Sequence, residues 1–150
     1  MKLPGIALIG SRICSLAAQR ACHYLAAEFA RRGFCIISAM AMGCDTSTHR
    51  GAIKAGGRTV ALVGYGRDTV YPPQNRRLAQ EIVLNGGLLL SEYDLGAPVT
   101  RYTLGACARL QAALALANVV IQTGVTSGNM HAARSCVNSG KPLFVVKYSD

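Results

Sequence analysis

The chain has 150 residues, 51% of them hydrophobic, which is enough for one sizeable core but hardly for two. We therefore predict a single domain over residues 1–150. Sixteen basic residues against seven acidic ones give a net charge of +9, which favours anionic, phosphate-bearing partners. The N-terminal apolar run is too short to span a membrane, and the six cysteines form no close-spaced ligand pairs. We expect a soluble, cytoplasmic protein with reduced thiols, no metal and no membrane partner.

Short apolar runs alternate with longer segments of helical periodicity, and this alternation predicts a parallel sheet. The six predicted strands lie near residues 6–9, 34–38, 59–63, 88–91, 119–122 and 143–146. Each is short and nearly all apolar, as expected of strands that are buried on both faces. The strand order cannot be read from the sequence. Right-handed crossovers nevertheless favour a doubly wound, mostly parallel, Rossmann-like α/β sheet with helices on both faces.

Five helices are predicted between these strands. The first has an apolar stripe at helical spacing and ends before Gly33; the stripe consists of Ala18, Ala21, Cys22, Leu25 and Phe29. The second is expected to start after Asp45, whose carboxylate can cap free N–H groups, and to stop at Gly56-Gly57. The other three are expected at about residues 75–84, after a turn at Pro72-Pro73, and at residues 104–115 and 128–138.

Glycine, hydroxyl and charged residues gather just after the predicted strands. In an open parallel sheet these loops share one edge, where ligands bind. Glycines let the backbone approach a ligand, and Ser or Thr at a helix start offers a hydroxyl beside unpaired N–H groups, which suits phosphate. The candidate phosphate-binding residues in these loops are Gly10, Ser11, Arg12, Gly43, Asp45, Gly66, Arg67, Thr126, Ser127 and Gly128.

Each candidate also has an ordinary interpretation. The guanidinium of Arg12 can grip phosphate with two hydrogen bonds, or Arg12 can be a solvated side chain in a strand-to-helix turn. Ser127 can cap a helix whether or not it also binds phosphate. Asp45 and His49 share a helical face, but without a nucleophile or metal partner a cap and a packing histidine are favoured over acid–base chemistry. For Glu92, a hydrogen bond to loop backbone is a more economical role than that of a general base.

Aromatic residues also fall in or near these loops, where their rings can stack on bases or simply lie at the boundary between loop and core. They are Tyr65, Tyr71, Tyr93 and Tyr102. The Walker A pattern and the G-x-G-x-x-G pattern after the first strand are both absent from the sequence, which disfavours ATP hydrolysis and NAD chemistry. We therefore expect no cofactor.

Several ordered segments together resemble the Rossmann-type core of the DprA/Smf family (DNA-processing protein A). They are residues 7–12, 49–52, 55–61, 71–73, 86–93 and 127–128. The resemblance implies a non-enzymatic protein that binds single-stranded DNA, protects strands taken up in natural transformation and passes them to a RecA-type recombinase. It also implies that Ser11 and Arg12 hold phosphate while the neighbouring loops cradle nucleotides.

The chain departs from the family pattern before the fifth strand. An aromatic residue and an Arg-Asn-Arg run are expected there, but residues 104–109 retain only the last arginine, Arg109. The DNA contact is therefore either lost or moved, with Arg101 and Tyr102 as the nearest replacements. Family members often dimerise, and the alanine-rich segment 106–117 is a candidate contact.

The second hypothesis for function is a domain that senses a small nucleotide or resembles a nucleoside-monophosphate phosphoribohydrolase. Those enzymes share the fold class. They carry a proline-glycine-glycine loop with a catalytic glutamate, and that loop is not present in this sequence.

Overall fold

The computed structural model describes residues 3–148, along which strands and helices alternate. In chain order the elements are β1 (Gly5–Gly10), α1 (Leu16–Arg31), β2 (Cys35–Ser38), α2 (Cys44–Lys54), β3 (Thr59–Leu62), α3 (Arg76–Leu84), β4 (Leu88–Leu90), α4 (Arg101–Leu114), β5 (Ala117–Gln122), α5 (Asn129–Asn138) and β6 (Leu143–Val145). A 3-10 turn over Pro73–Asn75 precedes α3. All six predicted strands are present, with ends shifted by one or two residues.

The six strands form one sheet in the order β4-β3-β2-β1-β5-β6, and every neighbouring pair is parallel. The chain builds outward from β1 to β4, then returns to the other side of β1 for β5 and β6. The direction of winding therefore reverses between β1 and β5. This confirms the predicted doubly wound α/β fold and places the usual ligand crevice of such sheets beside these two strands.

Alternate residues of β1 face the two helical layers. Ile6 and Leu8 pack in a cluster with residues of α1, whereas Ala7 packs beside leucines of α4 and Ile9 beside alanines of α5. Helices α2 and α3 lie on the same face as α1, since Ile53 of α2 packs against the cluster that α3 shares with β3. Because β1 is covered on both faces, nearly all of its side chains are apolar.

The two outer strands differ from the prediction that every strand is buried on both faces. Leu88 of β4 is 48% exposed, and Phe144 of β6 is 58% exposed. The reason is topological: β4 and β6 end the sheet, so each has a neighbouring strand on one side only. Apolar composition alone did not distinguish these edge strands from the central ones.

Three helices also begin or end at residues other than the predicted ones. Helix α2 begins at Cys44 with Gly43 as its N-cap, at a φ of 77° that favours glycine, so the helix starts before Asp45 and not after it. Helix α4 begins at Arg101, because Thr100 caps it in a reciprocal pair with Thr103, and it ends at Leu114. The alanine-rich segment 106–117 is therefore not one helix: its last residue begins β5. Helix α5 begins at Asn129, with Gly128 as its cap residue.

Helices α1 and α2 approach each other closely at Gly51. A Cβ atom built on Gly51 would overlap the backbone of His23, with the His23 Cα only 2.8 Å away. A backbone cannot move aside as a flexible side chain can, so any side chain at position 51 has to push the two helices apart.

We predict that Gly51→Ala lowers the free energy of unfolding by about 2 kcal/mol, because it separates α1 from α2. The matched control is Gly105→Ala in α4, where nothing lies within 4 Å of an added Cβ. There, the better helix propensity of alanine should raise stability by up to about 1 kcal/mol. Urea denaturation of the natural chain and both variants measures the three free energies of unfolding. Equal midpoints would contradict the close packing of α1 against α2.

Candidate functional site

The loops that follow β1 and β5 are joined by hydrogen bonds at the carboxyl edge of the sheet. The Ser11 N–H donates to the carbonyl oxygen of Gln122 over 2.8 Å. The Ser15 N–H donates to Gln122 Oε1 over 2.9 Å, and Asn129 Nδ2 donates to the Gly10 carbonyl oxygen over 2.8 Å. The structure thus brings the Gly10-Ser11-Arg12 loop beside the loop that carries Thr126, Ser127 and Gly128.

A buried hydrogen-bond cluster around Asp45 fixes the next loop, between β2 and α2. The Ser38 hydroxyl lies 2.8 Å from both the Leu8 carbonyl oxygen and Asp45 Oδ1, and the Ala41 N–H donates to Asp45 Oδ2 over 3.1 Å. Asp45 is only 6% exposed. Its carboxylate therefore holds backbone outside the helix and does not cap α2, which corrects the prediction, and it is not open to a bound phosphate.

Burial raises the pKa of Asp45 to about 6, against the opposing effects of Ser38, Ala41 and the Arg12 charge, so the carboxyl group takes up a proton below about pH 6. A proton on Asp45 is compatible with the hydrogen bonds that join Asp45, Ser38 and Leu8. The carboxyl group can then donate to Ser38, leaving the single Ser38 hydroxyl proton free for the Leu8 carbonyl oxygen.

Asn75 ties the 3-10 turn to the same loop. Its Nδ2 donates to the Met40 carbonyl oxygen over 2.8 Å, and the Thr46 hydroxyl donates to the Ala41 carbonyl oxygen over 2.9 Å. Asn75 is 2% exposed. Three segments distant in sequence, the ends of β1 and β2 and the start of α3, are therefore held in fixed relation.

His49 is a packing residue, as the sequence favoured. It is fully buried, with Nδ1 2.7 Å from the Thr59 hydroxyl and Nε2 2.6 Å from the Ala39 carbonyl oxygen. Because a carbonyl oxygen only accepts, the ring proton belongs on Nε2. Burial lowers the pKa of His49 to about 4, so the ring is neutral at neutral pH.

A cleft of about 610 Å³ opens between the Arg12 loop, α1, α2 and the 3-10 turn. Its walls carry two arginines, several amide and hydroxyl side chains and no carboxylate, and they consist of Arg12, Ile13, Cys14, Gln19, Met42, Gly43, Thr46, Ser47, Arg50, Gln74 and Asn75. Neither Arg12 nor Arg50 forms an ion pair within residues 3–148. Two unpaired guanidinium groups without a nearby exposed carboxylate suit a phosphate-bearing ligand.

Some of the predicted site residues lie in or beside the cleft, and the others lie elsewhere. Arg12 and Gly43 line the cleft, and Gly10 and Ser11 position the Arg12 loop. The Ser127 segment adjoins that loop from the β5 side but does not line the cleft. Ser127 precedes the cap residue of α5, and its hydroxyl accepts the Asn129 N–H over 3.2 Å.

Four predicted site residues lie elsewhere. Gly66 is buried and donates its N–H to the Ala97 carbonyl oxygen, while Arg67 lines a different cleft. Arg101 is the exposed first residue of α4. Arg109 is engaged by Glu92, with Nη2 3.1 and 3.0 Å from the two carboxylate oxygens.

The structure corrects the interpretation of Glu92 and decides between the two alternatives left open for Tyr65. Glu92 forms an ion pair with Arg109 and does not hydrogen-bond loop backbone. Tyr65 is 2% exposed and donates its hydroxyl proton to the Tyr71 carbonyl oxygen, so its ring cannot stack on a base. Tyr102, by contrast, is 82% exposed. Alternation of polar and apolar residues did not separate the buried tyrosine from the exposed one.

Sequence reasoning missed Arg50, Gln19 and Gln74 as cleft residues. A signal existed for Arg50, since it lies four residues after Thr46 and therefore on the same face of α2. No comparable signal existed for Gln74, because its position depends on how the 3-10 turn folds back against Met40 and Thr46.

We predict opposite pH dependences from the two buried groups. From about pH 4 to pH 6 the folded protein retains a proton on Asp45 that the unfolded chain has released, so this group makes stability fall as pH rises. Over the same range the unfolded chain binds a proton that folded His49 excludes, so His49 makes stability rise with pH. The two effects nearly cancel in the natural chain.

Asp45→Asn should expose the His49 effect, because an asparagine amide mimics the protonated carboxyl group. Relative to the natural chain, its free energy of unfolding should rise by about 3 kcal/mol between pH 4 and pH 6.5. His49→Gln should show the opposite relative trend. Denaturant titrations across this pH range provide the measurement, and parallel profiles for all three proteins would refute the assigned protonation states.

All six cysteines are free thiols, and five of them are buried. No helix within residues 3–148 combines the length and apolar composition that a membrane crossing requires.

Comparisons with known proteins agree on one family. The model of the family described as DNA recombination-mediator protein A matches residues 1–149. The Smf protein of Synechocystis is 32% identical over 143 residues, which are 95% of this chain and 36% of that protein. The DNA processing protein DprA of Streptococcus pneumoniae is 31% identical over 146 residues, 97% of this chain and 51% of that protein.

A solved structure gives the same result. DNA processing protein A of Helicobacter pylori, a structure that concerns the single-stranded DNA binding mode of that protein, superposes with a TM-score of 0.89 at 32% identity, covering 97% of this chain and 66% of that one. The present chain spans about a third to a half of the length of the two curated relatives. The resemblance found in the sequence is confirmed, and the chain belongs to the DNA recombination-mediator protein A family, that of DprA and Smf.

Proposed function

We propose that this protein binds single-stranded DNA at the carboxyl edge of the sheet, with Arg12 holding a backbone phosphate. The observation that carries the proposal is the cleft beside β1, whose walls, within residues 3–148, hold two arginines without an ion pair and no carboxylate. The H. pylori relative, whose structure concerns single-stranded DNA binding, supports it.

The loops around Arg12 are held in place before any ligand arrives. The Ser11 N–H is bound to the Gln122 carbonyl oxygen, and the Cys44 N–H donates to the Ser11 carbonyl oxygen over 3.2 Å. A ligand therefore has little loop entropy to remove, which favours affinity. The net charge of +9 adds long-range attraction for a polyanion.

We propose that Arg101 and Tyr102 take the DNA contact that the family pattern places before β5. Arg109, the one family arginine retained there, is engaged by Glu92. Arg101 and Tyr102 are both exposed in the first turn of α4, where an arginine can meet phosphate and a tyrosine ring can stack on an unpaired base.

We propose binding without a covalent step. The cleft residue with the greatest nucleophilic potential is Cys14, and burial together with the neighbouring Cys44 raises its pKa to about 11, so the thiol stays protonated at neutral pH. The carboxylate of Glu92 is held in an exposed ion pair with Arg109. Sustained release of free base from nucleoside monophosphates would contradict this reading and favour a nucleotide-hydrolysing domain.

Family membership supports three further proposals, on the fate of the bound strand, the cellular location and the oligomeric state. We propose that the bound strand passes to a RecA-type recombinase during natural transformation, that the protein acts in the cytoplasm, and that it forms a homodimer.

We predict that Arg12→Ala weakens binding of a labelled oligothymidylate by about tenfold, because one charge-assisted phosphate contact is lost. The slope of log affinity against log salt should also fall by roughly 0.7. The control is Arg31→Ala, which removes the same charge at the far end of α1, where Arg31 pairs with Glu28. Fluorescence anisotropy at several salt concentrations measures both. Equal effects of the two substitutions would show that Arg12 is not a specific contact.

We predict that Tyr102→Ala weakens the same binding by about fivefold with an unchanged salt slope, because stacking on a base involves no counterion. Tyr24→Ala is the control, since Tyr24 is 64% exposed on α1. The same anisotropy titrations apply. A changed salt slope, or an affinity equal to that of the control, would remove Tyr102 from the interface.

A further inference from the structure

A second cleft of about 640 Å³ lies along α3, outside the hydrogen-bond cluster around Asp45. Its basic end, at the carboxyl edge of the sheet, is formed by Arg67 in the loop after β3 and Arg76 at the start of α3. Toward the end of α3 the walls become apolar and include Val83, Leu84 and Leu89. We name this cleft the α3 groove.

The apolar end of the α3 groove is open to solvent. Val83 is 54% exposed and Leu84 is 84% exposed. Large aliphatic side chains that lie together on a surface indicate a surface that another chain covers.

The α3 groove runs beside the free edge of the sheet. The Leu90 carbonyl oxygen accepts the Val63 N–H over 2.9 Å, so Leu90 directs its hydrogen-bonding groups toward β3. Orientation alternates along a parallel strand, which means that Leu89 directs its N–H and carbonyl groups outward. Within residues 3–148, β4 pairs with β3 alone. An edge of this kind accepts an extended segment as a further strand.

Charge defines what kind of segment fits. Asp68, the carboxylate in the groove wall, is engaged, since its Oδ1 accepts the Gly96 N–H over 2.8 Å. Arg67 and Arg76 form no ion pair within the described part of the chain. The groove therefore carries two arginines against one carboxylate at its basic end, which leaves net positive charge there, and aliphatic surface at the other end.

We propose that the α3 groove binds an extended, acidic and apolar segment of a partner protein. The segment adds a strand to β4 through Leu89, its apolar side chains cover Val83 and Leu84, and its acidic residues lie at the end that carries Arg67 and Arg76. A nucleic acid strand fits less well, because a charged phosphate backbone makes no favourable contact with the exposed aliphatic half of the groove.

The experiment uses three labelled peptides of equal length with alternating valine and threonine. They differ only at one end, which carries glutamates, glutamines or lysines. The protein should bind them in the order glutamate, glutamine, lysine. Arg76→Glu should reduce affinity for the glutamate peptide about tenfold and increase it for the lysine peptide, because one close charge is reversed. Arg134→Glu, on α5 across the sheet, changes the net charge equally and should have little effect.

Two further measurements test the apolar and backbone contacts. Leu84→Ser should lower the affinity for all three peptides about fivefold, because apolar contact is lost. The substitution does not unfold the protein through lost packing, since Leu84 is exposed. Saturation with the glutamate peptide should slow hydrogen exchange of the Leu89 amide. Equal effects of Arg76→Glu and Arg134→Glu, or unchanged exchange at Leu89, would overturn the proposal. So would a loss of oligothymidylate binding in Leu84→Ser without loss of peptide binding, which would assign the groove to DNA.

Discussion

The buried carboxyl group of Asp45 is the contact on which the arrangement of the site depends. Through Ser38 and Ala41 it joins the start of α2 to the end of β2, and Ser38 extends the connection to Leu8 in β1. Gly43, two residues before Asp45, then lies against the backbone of Arg12 so closely that a Cβ atom would overlap it. The position of the exposed arginine is thus fixed by a group that is itself hidden from the ligand.

This arrangement also explains why the cleft is electropositive. The acidic residue closest in sequence to the cleft, Asp45, is buried among Ser38 and Ala41 and does not line the cleft. The charge of the cleft is therefore set by the two arginines in its walls, Arg12 and Arg50.

The sheet separates two kinds of surface. The loop after β1, together with α1, α2 and the 3-10 turn, forms the polar, arginine-bearing cleft, and the loop after β5 adjoins it without lining it. At one end of the sheet, β4 pairs with β3 alone within residues 3–148. The outward backbone groups of Leu89 therefore have no partner strand, as at the edge of any open sheet.

The sequence by itself determined the alternation of strands and helices, the doubly wound fold class, the apolar stripe of α1 and the position of Arg12 in the loop after β1. These are local properties, set by periodicity, glycine positions and residue type over a few neighbouring residues. Only the tertiary structure decided the strand order, the burial of Asp45 and Tyr65, the pairing of Glu92 with Arg109 and the placement of Arg12 and Gln74 in one cleft. Each of these depends on which distant segments become neighbours in space, and that is set by packing of the whole sheet and its helices, which no short stretch of sequence encodes.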